Sequence, residues 1–218
     1  MAVLFDLDGT LCGVSKSRSE ILAECLERCG LPEIDRDDYL RAHDRVTIDN
    51  KLKTRFPIFK EVFEEKGVFD VDRIRRLSRI YHYEVLDNLY LFNGVDEVLD
   101  KIQDEKVLVT NGPKKVQREK VESLGLSSYF SCVVTSGEVG VAKPDPTIFK
   151  YAVEKSDCKP KAYIGNSLKH DVAGANNYGI KSILISFNGE KYRYKGLKPD
   201  YVIQNLNELK NIPEISFK

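Results

Sequence analysis

Short, continuous runs of apolar residues recur along the chain, and most of them stop at a polar or glycine-containing segment. The first run, Ala2–Phe5, stops at Asp6. Apolar residues that are continuous rather than alternating are typical of strands buried on both faces, and therefore of a parallel sheet covered by helices. The later runs of this kind are Val107–Val109, Cys132–Val134, Ala162–Ile164, Ser182–Ile185 and Tyr201–Ile203.

Helical periodicity fills the gaps between these runs from about residue 95 onward. Pro146 in a first turn and Gly179 after a last turn mark helix boundaries. Strand and helix therefore alternate, which predicts a doubly wound α/β core whose ligand crevice lies at the carboxyl ends of the strands. The predicted helices are Val95–Ile102, Val116–Leu124, Pro146–Val153 and Asp171–Tyr178.

Residues 14–90 interrupt this alternation. Apolar spacing from Ile21 to Leu26, stopped at Gly30, predicts an amphipathic helix, and the spacing from Ile74 to Leu86 predicts further helix. No strand is predicted between them. The chain is therefore divided into an α/β core (1–13 and 91–218) and an all-helical insertion (14–90). The segment Asn188–Pro199 is predicted to be a surface loop.

Composition narrows the class of protein. The 218 residues are 42% apolar and 31% charged, and 34 basic residues balance 34 acidic ones. Since no global basic field exists, we expect neither a nucleic-acid nor a membrane partner. The five scattered cysteines indicate reduced thiols, the three histidines are too far apart for a zinc site, and no apolar run has the length of a membrane span. A cytoplasmic location is expected.

Polar patches follow four of the predicted strands. In Asp6-Leu7-Asp8-Gly9-Thr10, one carboxylate can act as a nucleophile while the other handles protons. A calcium loop is the alternative for this motif, but the further ligands and closing Glu of an EF-hand are missing. The remaining patches are Thr110-Asn111-Gly112, whose hydroxyl and amides suit an anion, Lys143 held between glycine and proline, and Gly165–Asp171.

Taken in order, these patches resemble the haloacid dehalogenase superfamily, whose members are mostly phosphotransferases. Asp6–Thr10 matches the D-x-D-x-T signature of that superfamily, and Thr110 matches its second motif. Lys143-Pro144 matches the third motif and Gly165–Asp171 the fourth. The resemblance covers nearly the whole chain outside the insertion, and it implies that the insertion is a small α-helical cap over the active site.

The resemblance also implies catalytic roles. Asp6 would attack phosphorus and become an aspartyl phosphate, which divides hydrolysis into two easier displacements. Asp8 would protonate the departing alkoxide and later deprotonate the attacking water. Thr110 and the amide of Asn111 would bind phosphoryl oxygens, and Lys143 would balance the charge of nucleophile and phosphate.

A magnesium ion is the implied cofactor. Its ligands would be Asp6, the backbone carbonyl of Asp8, and Asp171. Members of the superfamily commonly carry Asp where this chain has Asn166. The Asn166 amide oxygen can still coordinate magnesium, but the missing negative charge predicts a weaker metal site.

Other activities compatible with the same fold are a halide-releasing dehalogenase, a phosphosugar mutase and a non-catalytic binding module. Asn occurs near position 166 in dehalogenases, but a departing halide needs no proton, so Asp8 favours phosphoryl transfer. The predicted substrate is a small soluble phosphomonoester, and the predicted state is a monomer or homodimer. Insertion residues able to reach over the crevice are Lys16, Arg18, His43, Arg45 and Asn50.

Overall fold

A computed structural model describes residues 1–49, 52–187 and 196–218. Most of the loop predicted at 188–199 therefore lies outside the described residues, as does Asn50. The strands are β1 (Ala2–Phe5), β2 (Cys12–Val14), β3 (Leu89–Leu91), β4 (Glu105–Thr110), β5 (Cys132–Thr135), β6 (Pro160–Gly165), β7 (Lys181–Ile185) and β8 (Tyr201–Ile203).

Helices cover the sheet and make up most of the insertion. They are α1 (Arg18–Cys29), α2 (Arg36–Asp49), α3 (Phe56–Glu65), α4 (Val71–Asp87), α5 (Val95–Lys101), α6 (Lys114–Ser123), α7 (Ser136–Val139), α8 (Pro146–Ser156) and α9 (Ala173–Tyr178), with a π-helical turn at Leu168–Val172 and a 3₁₀ helix at Leu206–Asn211. Within the described residues, these helices fall short of the length and apolar character that crossing a membrane requires.

Six strands form one parallel sheet in the order β5-β4-β1-β6-β7-β8. Alternate residues of a strand point to opposite faces, and in β1 Val3 and Phe5 join one buried apolar cluster while Ala2 and Leu4 join another. The helices α5 and α6 pack on the first face and α8 and α9 on the second. Both faces of the central strands are therefore buried, which explains their continuous apolar runs and confirms the predicted doubly wound fold.

The order of the strands places the crevice. β1 pairs with β4 on one side and with β6 on the other, so the chain leaves the central strand in both directions along the sheet. The carboxyl ends of these three strands lie next to one another, because the strands are parallel and Phe5 pairs with both Leu108 and Ile164. Asp6, Thr110 and Gly165 consequently meet at the switch point where open α/β sheets bind ligands.

The four helices α1–α4 enclose an apolar cluster of their own, separate from the two clusters on the sheet. Phe59 and Phe63 of α3 and Leu77 of α4 are fully buried in it. α1 begins with a capping box in which Ser17 and Glu20 satisfy each other's backbone amides, and it ends at Gly30. Each helix thus hides one apolar stripe against its neighbours.

The prediction that residues 14–90 are entirely helical was wrong at the two ends of that segment, where short strands lie. β2 and β3 pair antiparallel, with Val14 opposite Leu89 and Cys12 opposite Leu91. They form a two-stranded ribbon where the chain enters and leaves the insertion. Three-residue strands carry too short an alternation to be distinguished from loop in the sequence.

Backbone hydrogen bonds join the insertion to the first turn of α6. The carbonyls of Leu52 and Lys53 accept hydrogen bonds from the amides of Lys114 (2.8 Å) and Lys115 (3.0 Å). Gly137 of α7 lies beneath this contact, and a Cβ atom at this position would be 2.3 Å from the Leu52 oxygen and 2.8 Å from the Lys114 nitrogen. The insertion can approach the sheet here because residue 137 has no side chain.

Replacing Gly137 by Ala should destabilise the protein by about 1–3 kcal/mol, because the new methyl group meets backbone atoms that cannot rotate away. Urea unfolding monitored by circular dichroism measures the change, with the exposed Ser127→Ala as a control. An unfolding free energy equal to that of the wild type would contradict the close approach of Leu52 to α7.

Candidate active site

The polar residues predicted from the four motifs line a single cavity at the carboxyl edge of the sheet. They come from the ends of three strands and from the turn before α8, so the parallel sheet is what brings them together. The cavity has a volume of about 160 Å³, and its walls are Asp6, Asp8, Thr110, Asn111, Lys143, Asn166, Ser167, His170 and Asp171.

A buried ammonium group lies at the centre of the site. Lys143 Nζ is 2.7 Å from Asp6 Oδ1 and 2.8 Å from Asp171 Oδ1. It also donates to the hydroxyl of Tyr163 (2.6 Å) and the carbonyl of Val109 (3.2 Å). A buried cation is tolerated only when it is paired and hydrogen-bonded, and here two carboxylates and two neutral oxygens meet that need.

The buried surroundings of Asp6 shift its pKa upward. Burial raises the pKa of Asp6 to about 6, with a further contribution from the negative charge of Asp171 and an opposing one from Lys143. Although burial works against its charge, the two carboxylates raise the pKa of Lys143 above its ordinary value. The cluster of Asp6, Asp171 and Lys143 has two carboxylates and one cation, so a further positive charge would stabilise it.

The second carboxylate of the motif has a different environment. Asp8 accepts hydrogen bonds at both oxygens from Lys120 Nζ (2.8 and 2.7 Å), from Gln117 Nε2 (2.9 Å) and from Arg18 Nη2 (2.7 Å). Burial favours the neutral acid, but Lys120 and Arg18 together hold the pKa of Asp8 well below its usual range. Burial in turn lowers the pKa of Lys120 to about 8, against the influence of Asp8.

Two side chains near the end of β4 organise the site rather than point into solvent. Thr110 Oγ1 accepts a hydrogen bond from Gln117 (2.7 Å). The carboxamide of Asn111 donates to the carbonyl of Lys143 (3.1 Å) and accepts from the amide of Lys143 (2.8 Å). The Asn111 side chain therefore holds the turn that carries the central lysine.

The fourth motif faces the first across the cavity. Asp171 Oδ2 accepts a hydrogen bond from the amide of Ser167 (2.9 Å), which fixes its carboxylate against the end of β6. Asn166 packs on Gly9, where a Cβ atom would lie 2.3 Å from Asn166 Nδ2 and where φ is +81°. Gly9 thus permits both the turn after the first motif and the approach of Asn166.

Oxygen ligands for a hard cation surround this part of the cavity. Asp6, Asn166 and Asp171 offer side-chain oxygens, and Asp8 offers a backbone carbonyl. Throughout the described ranges, no group of three or more His, Cys, Asp or Glu side chains has the spacing of a metal site. The oxygens of Asp6, Asp8, Asn166 and Asp171 suit magnesium, which binds few carboxylates together with neutral oxygens and water, better than zinc.

Among the insertion residues proposed to reach over the crevice, Arg18 contacts the site, through its ion pair with Asp8. In the sequence, Arg18 is a basic residue near the start of a predicted helix, and nothing in its pattern distinguishes it from the other insertion residues. Of those others, Lys16 pairs with Glu24, His43 lies beside Tyr39, Arg45 pairs with Glu61 and Glu65, and Asn50 lies outside the described residues.

Three polar residues that contact the site were not predicted from the sequence. Gln117 and Lys120 lie on the buried face of α6, between Val116 and Val121. Tyr163 lies inside β6 and appears in the sequence as one more apolar strand residue. The available signal was in α6, because a glutamine and a lysine one turn apart on an otherwise apolar helix face need buried partners.

The sequence of this chain is similar to those of known hydrolases and phosphatases. A family model described as haloacid dehalogenase-like hydrolase matches residues 3–185. The glyceraldehyde 3-phosphate phosphatase of Methanothermobacter thermautotrophicus is 30% identical over 85% of this chain and 85% of its own length. The human N-acylneuraminate-9-phosphatase is 33% identical over 57% of this chain, and the match spans about half (52%) of that relative's length.

Two further matches bear on chemistry and fold. A (S)-2-haloacid dehalogenase from Pseudomonas sp. (strain CBS-3) is 24% identical over 96% of this chain and 94% of its own length. Among solved structures, the HAD-hydrolase YfnB from Bacillus subtilis, bound to magnesium, superposes with a TM-score of 0.71 at 21% identity, covering 97% of each chain. This structural likeness concerns the fold.

The raised pKa of Asp6 predicts how Asp6→Asn changes the stability of the protein in EDTA. Since folding raises the pKa of Asp6 from 3.8 to about 6, folding favours the protonated form. The ionised form therefore lowers stability as pH rises, by about 3 kcal/mol above pH 6. Asp6→Asn should be more stable than wild type at pH 8 by up to this amount, with the difference shrinking below pH 6.

Urea unfolding at several pH values measures this effect. The exposed Asp157→Asn is the control, because it removes a carboxylate that lies outside the cluster around Lys143. Equal or lower stability of Asp6→Asn at pH 8 would show that the ionised Asp6 is not a cost to the metal-free protein.

Proposed function

Because the chain belongs to the haloacid dehalogenase-like hydrolase family, we propose that it is a magnesium-dependent phosphatase that cleaves a small phosphomonoester. The observation that carries this proposal is the pair of carboxylates, Asp6 and Asp8, lining one cavity in opposite electrostatic settings. Two carboxylates with pKa values pushed apart can divide nucleophilic and proton-transfer roles between them.

In the first step, a carboxylate oxygen of Asp6 attacks phosphorus and the bond from phosphorus to the alkoxide breaks. Asp8 supplies the proton that the leaving oxygen takes up. Lys143 lies 2.7 Å from Asp6 and Thr110 lines the same cavity. Both side chains bind phosphoryl oxygens, and Lys143 also balances the negative charge of nucleophile and phosphate.

In the second step, water attacks the phosphorus of the aspartyl phosphate. Asp8, now ionised, accepts a proton from that water, the bond to the Asp6 oxygen breaks, and inorganic phosphate leaves. Both carboxylates return to their initial states. The very low pKa of Asp8 in the ligand-free protein suits this second role directly. For the first role, the negative phosphate must raise the pKa of Asp8 as the substrate binds.

Magnesium, when bound, supplies positive charge that neutralises the phosphoryl oxygens and the surplus carboxylate. We propose that Asp6, Asp171, the Asn166 amide oxygen and the Asp8 carbonyl hold it. The fit rests on these oxygens sharing one cavity and on the excess negative charge around Lys143.

The insertion, residues 14–90, serves in this proposal as a cap over the α/β core formed by residues 1–13 and 91–218. Arg18 of α1 reaches Asp8, so the insertion touches the proton-transfer group itself. Its inner surface selects the leaving group and keeps water away from the developing charge.

A dehalogenase is the second candidate, because a relative of that activity aligns over almost the entire chain. A carbon–halogen bond breaks without protonation of the leaving group, so such an enzyme has no use for Asp8. Chloride release from 2-chloropropionate without magnesium would favour this alternative.

The purified protein should release phosphate from phosphomonoesters only with magnesium, and Asp6→Asn should reduce turnover by a factor of at least about 10³ because the nucleophile is gone. The panel includes p-nitrophenyl phosphate, glyceraldehyde 3-phosphate and sugar phosphates. Phosphate release is followed colorimetrically, and circular dichroism checks the fold. A folded Asp6→Asn variant with substantial activity would refute the nucleophile assignment.

Absence of activity on the entire panel would favour a non-catalytic binding module. Phosphate release that depends on an added sugar bisphosphate would favour a mutase.

Asn166→Asp should strengthen magnesium binding roughly tenfold, because the charge of the ligand set largely determines cation affinity. Titration calorimetry and the magnesium dependence of kcat measure the change. Asn207→Asp, which adds the same charge at an exposed position, is the control and should bind magnesium like the wild type. Unaltered affinity in Asn166→Asp would place the ion away from residue 166.

A further inference from the structure

One buried lysine of the site has no role in the proposed mechanism. Lys120 lies on α6 and is 1% exposed. Its ammonium group contacts both carboxylate oxygens of Asp8, at 2.8 and 2.7 Å. Among the described residues, no other group accepts a hydrogen bond from it. The lysine is therefore dedicated to a single side chain, the proposed acid and base.

Burying a lysine at position 120 is unfavourable in free energy. Removing an ammonium group from water costs free energy that a single ion pair often fails to recover. A methionine or leucine would fill the space between Val116 and Val121 and suit the apolar face of α6. A buried charge whose hydrogen bonds go to one functional carboxylate points to a role in function.

A second residue of the same helix extends this contact to the phosphate-binding end of β4. Gln117, one turn before Lys120, donates to Asp8 Oδ2 at 2.9 Å and to Thr110 Oγ1 at 2.7 Å. α6 thus holds the Asp8 carboxylate at two points and ties it to Thr110. Proton transfer requires a heavy-atom separation of about 2.6–3.2 Å, so a carboxylate that rotates freely would seldom be in reach.

We propose that Lys120 is a positioning residue that holds the Asp8 carboxylate in the orientation needed to protonate the leaving group, with Gln117 as its partner on the same helix. This inference rests on the proposed phosphatase function. Lys120 acts through Asp8 and touches neither the substrate nor the metal.

The proposal predicts a dependence on the leaving group. p-Nitrophenolate departs as a stabilised anion and needs little help from an acid, whereas p-nitrobenzyl alkoxide must be protonated. The two phosphate esters differ by one methylene, so their binding requirements are similar. kcat/KM covers the steps up to departure of the leaving group, and it is therefore the parameter to compare.

Lys120→Met should lower kcat/KM for p-nitrobenzyl phosphate by about 100-fold, the usual cost of a misplaced catalytic group. The fall for p-nitrophenyl phosphate should be at least about tenfold smaller. Lys120→Arg, which keeps a cation near Asp8, should recover part of the loss. Lys115→Met, on the exposed side of the same helix, is the matched control and should treat both esters as the wild type does.

A double-mutant cycle separates positioning from general damage. If Lys120 acts only through Asp8, adding Lys120→Met to Asp8→Asn should cause no further loss on p-nitrobenzyl phosphate. Thermal unfolding of each variant monitors the fold. Equal losses on the two esters, or a full additional loss in the Asp8→Asn background, would overturn the inference and leave Lys120 with a structural role.

The outcome also distinguishes this inference from the function on which it rests. A folded wild type that releases no phosphate from either ester in magnesium would remove both proposals. A wild type that is active and loses activity with Asp6→Asn, combined with a Lys120→Met variant that shows no leaving-group dependence, would remove only the role of Lys120.

Discussion

The ammonium group of Lys143 is the interaction on which the site depends. It joins Asp6 at the end of β1, the carbonyl of Val109 in β4, and Tyr163 of β6, and it also pairs with Asp171. Lys143 thereby links three parallel strands at the carboxyl edge of the sheet. Since a buried cation without partners is strongly unfavourable, each of these groups constrains the position of the others.

Two carboxylates only two residues apart have different partners, since Asp6 pairs with Lys143 whereas Asp8 pairs with Lys120 and Arg18. Asp6 remains with the sheet, where burial and a neighbouring carboxylate raise its pKa. Asp8 faces α6 and the insertion, where two cations lower its pKa. The two pKa values differ because the two side chains contact different parts of the fold. Carboxylates with such different pKa values can take separate chemical roles within one short motif.

The parts predictable from sequence were those encoded by local pattern. The six parallel strands were found because strands buried on both faces are continuously apolar, and the motif residues were found because they follow those strands. β2 and β3 escaped because three residues carry too little alternation, and α2 and α3 were not resolved individually within the helical segment. Lys120 and Arg18 became specific only when the structure showed their shared partner, Asp8, since the pattern of α6 indicates that a buried lysine needs a partner but not which residue supplies it.

The hydrogen bonds from Lys114 and Lys115 to the insertion make the first turn of α6 depend on the insertion. α6 begins after Pro113, with no side chain capping its first turn. Two of the amides that every helix leaves unsatisfied at its start are instead supplied with acceptors by Leu52 and Lys53. If the inserted helices were deleted, these two amides would lose their acceptors and the first turn of α6 would fray. Replacing Pro113 by serine or aspartate would then supply a capping side chain.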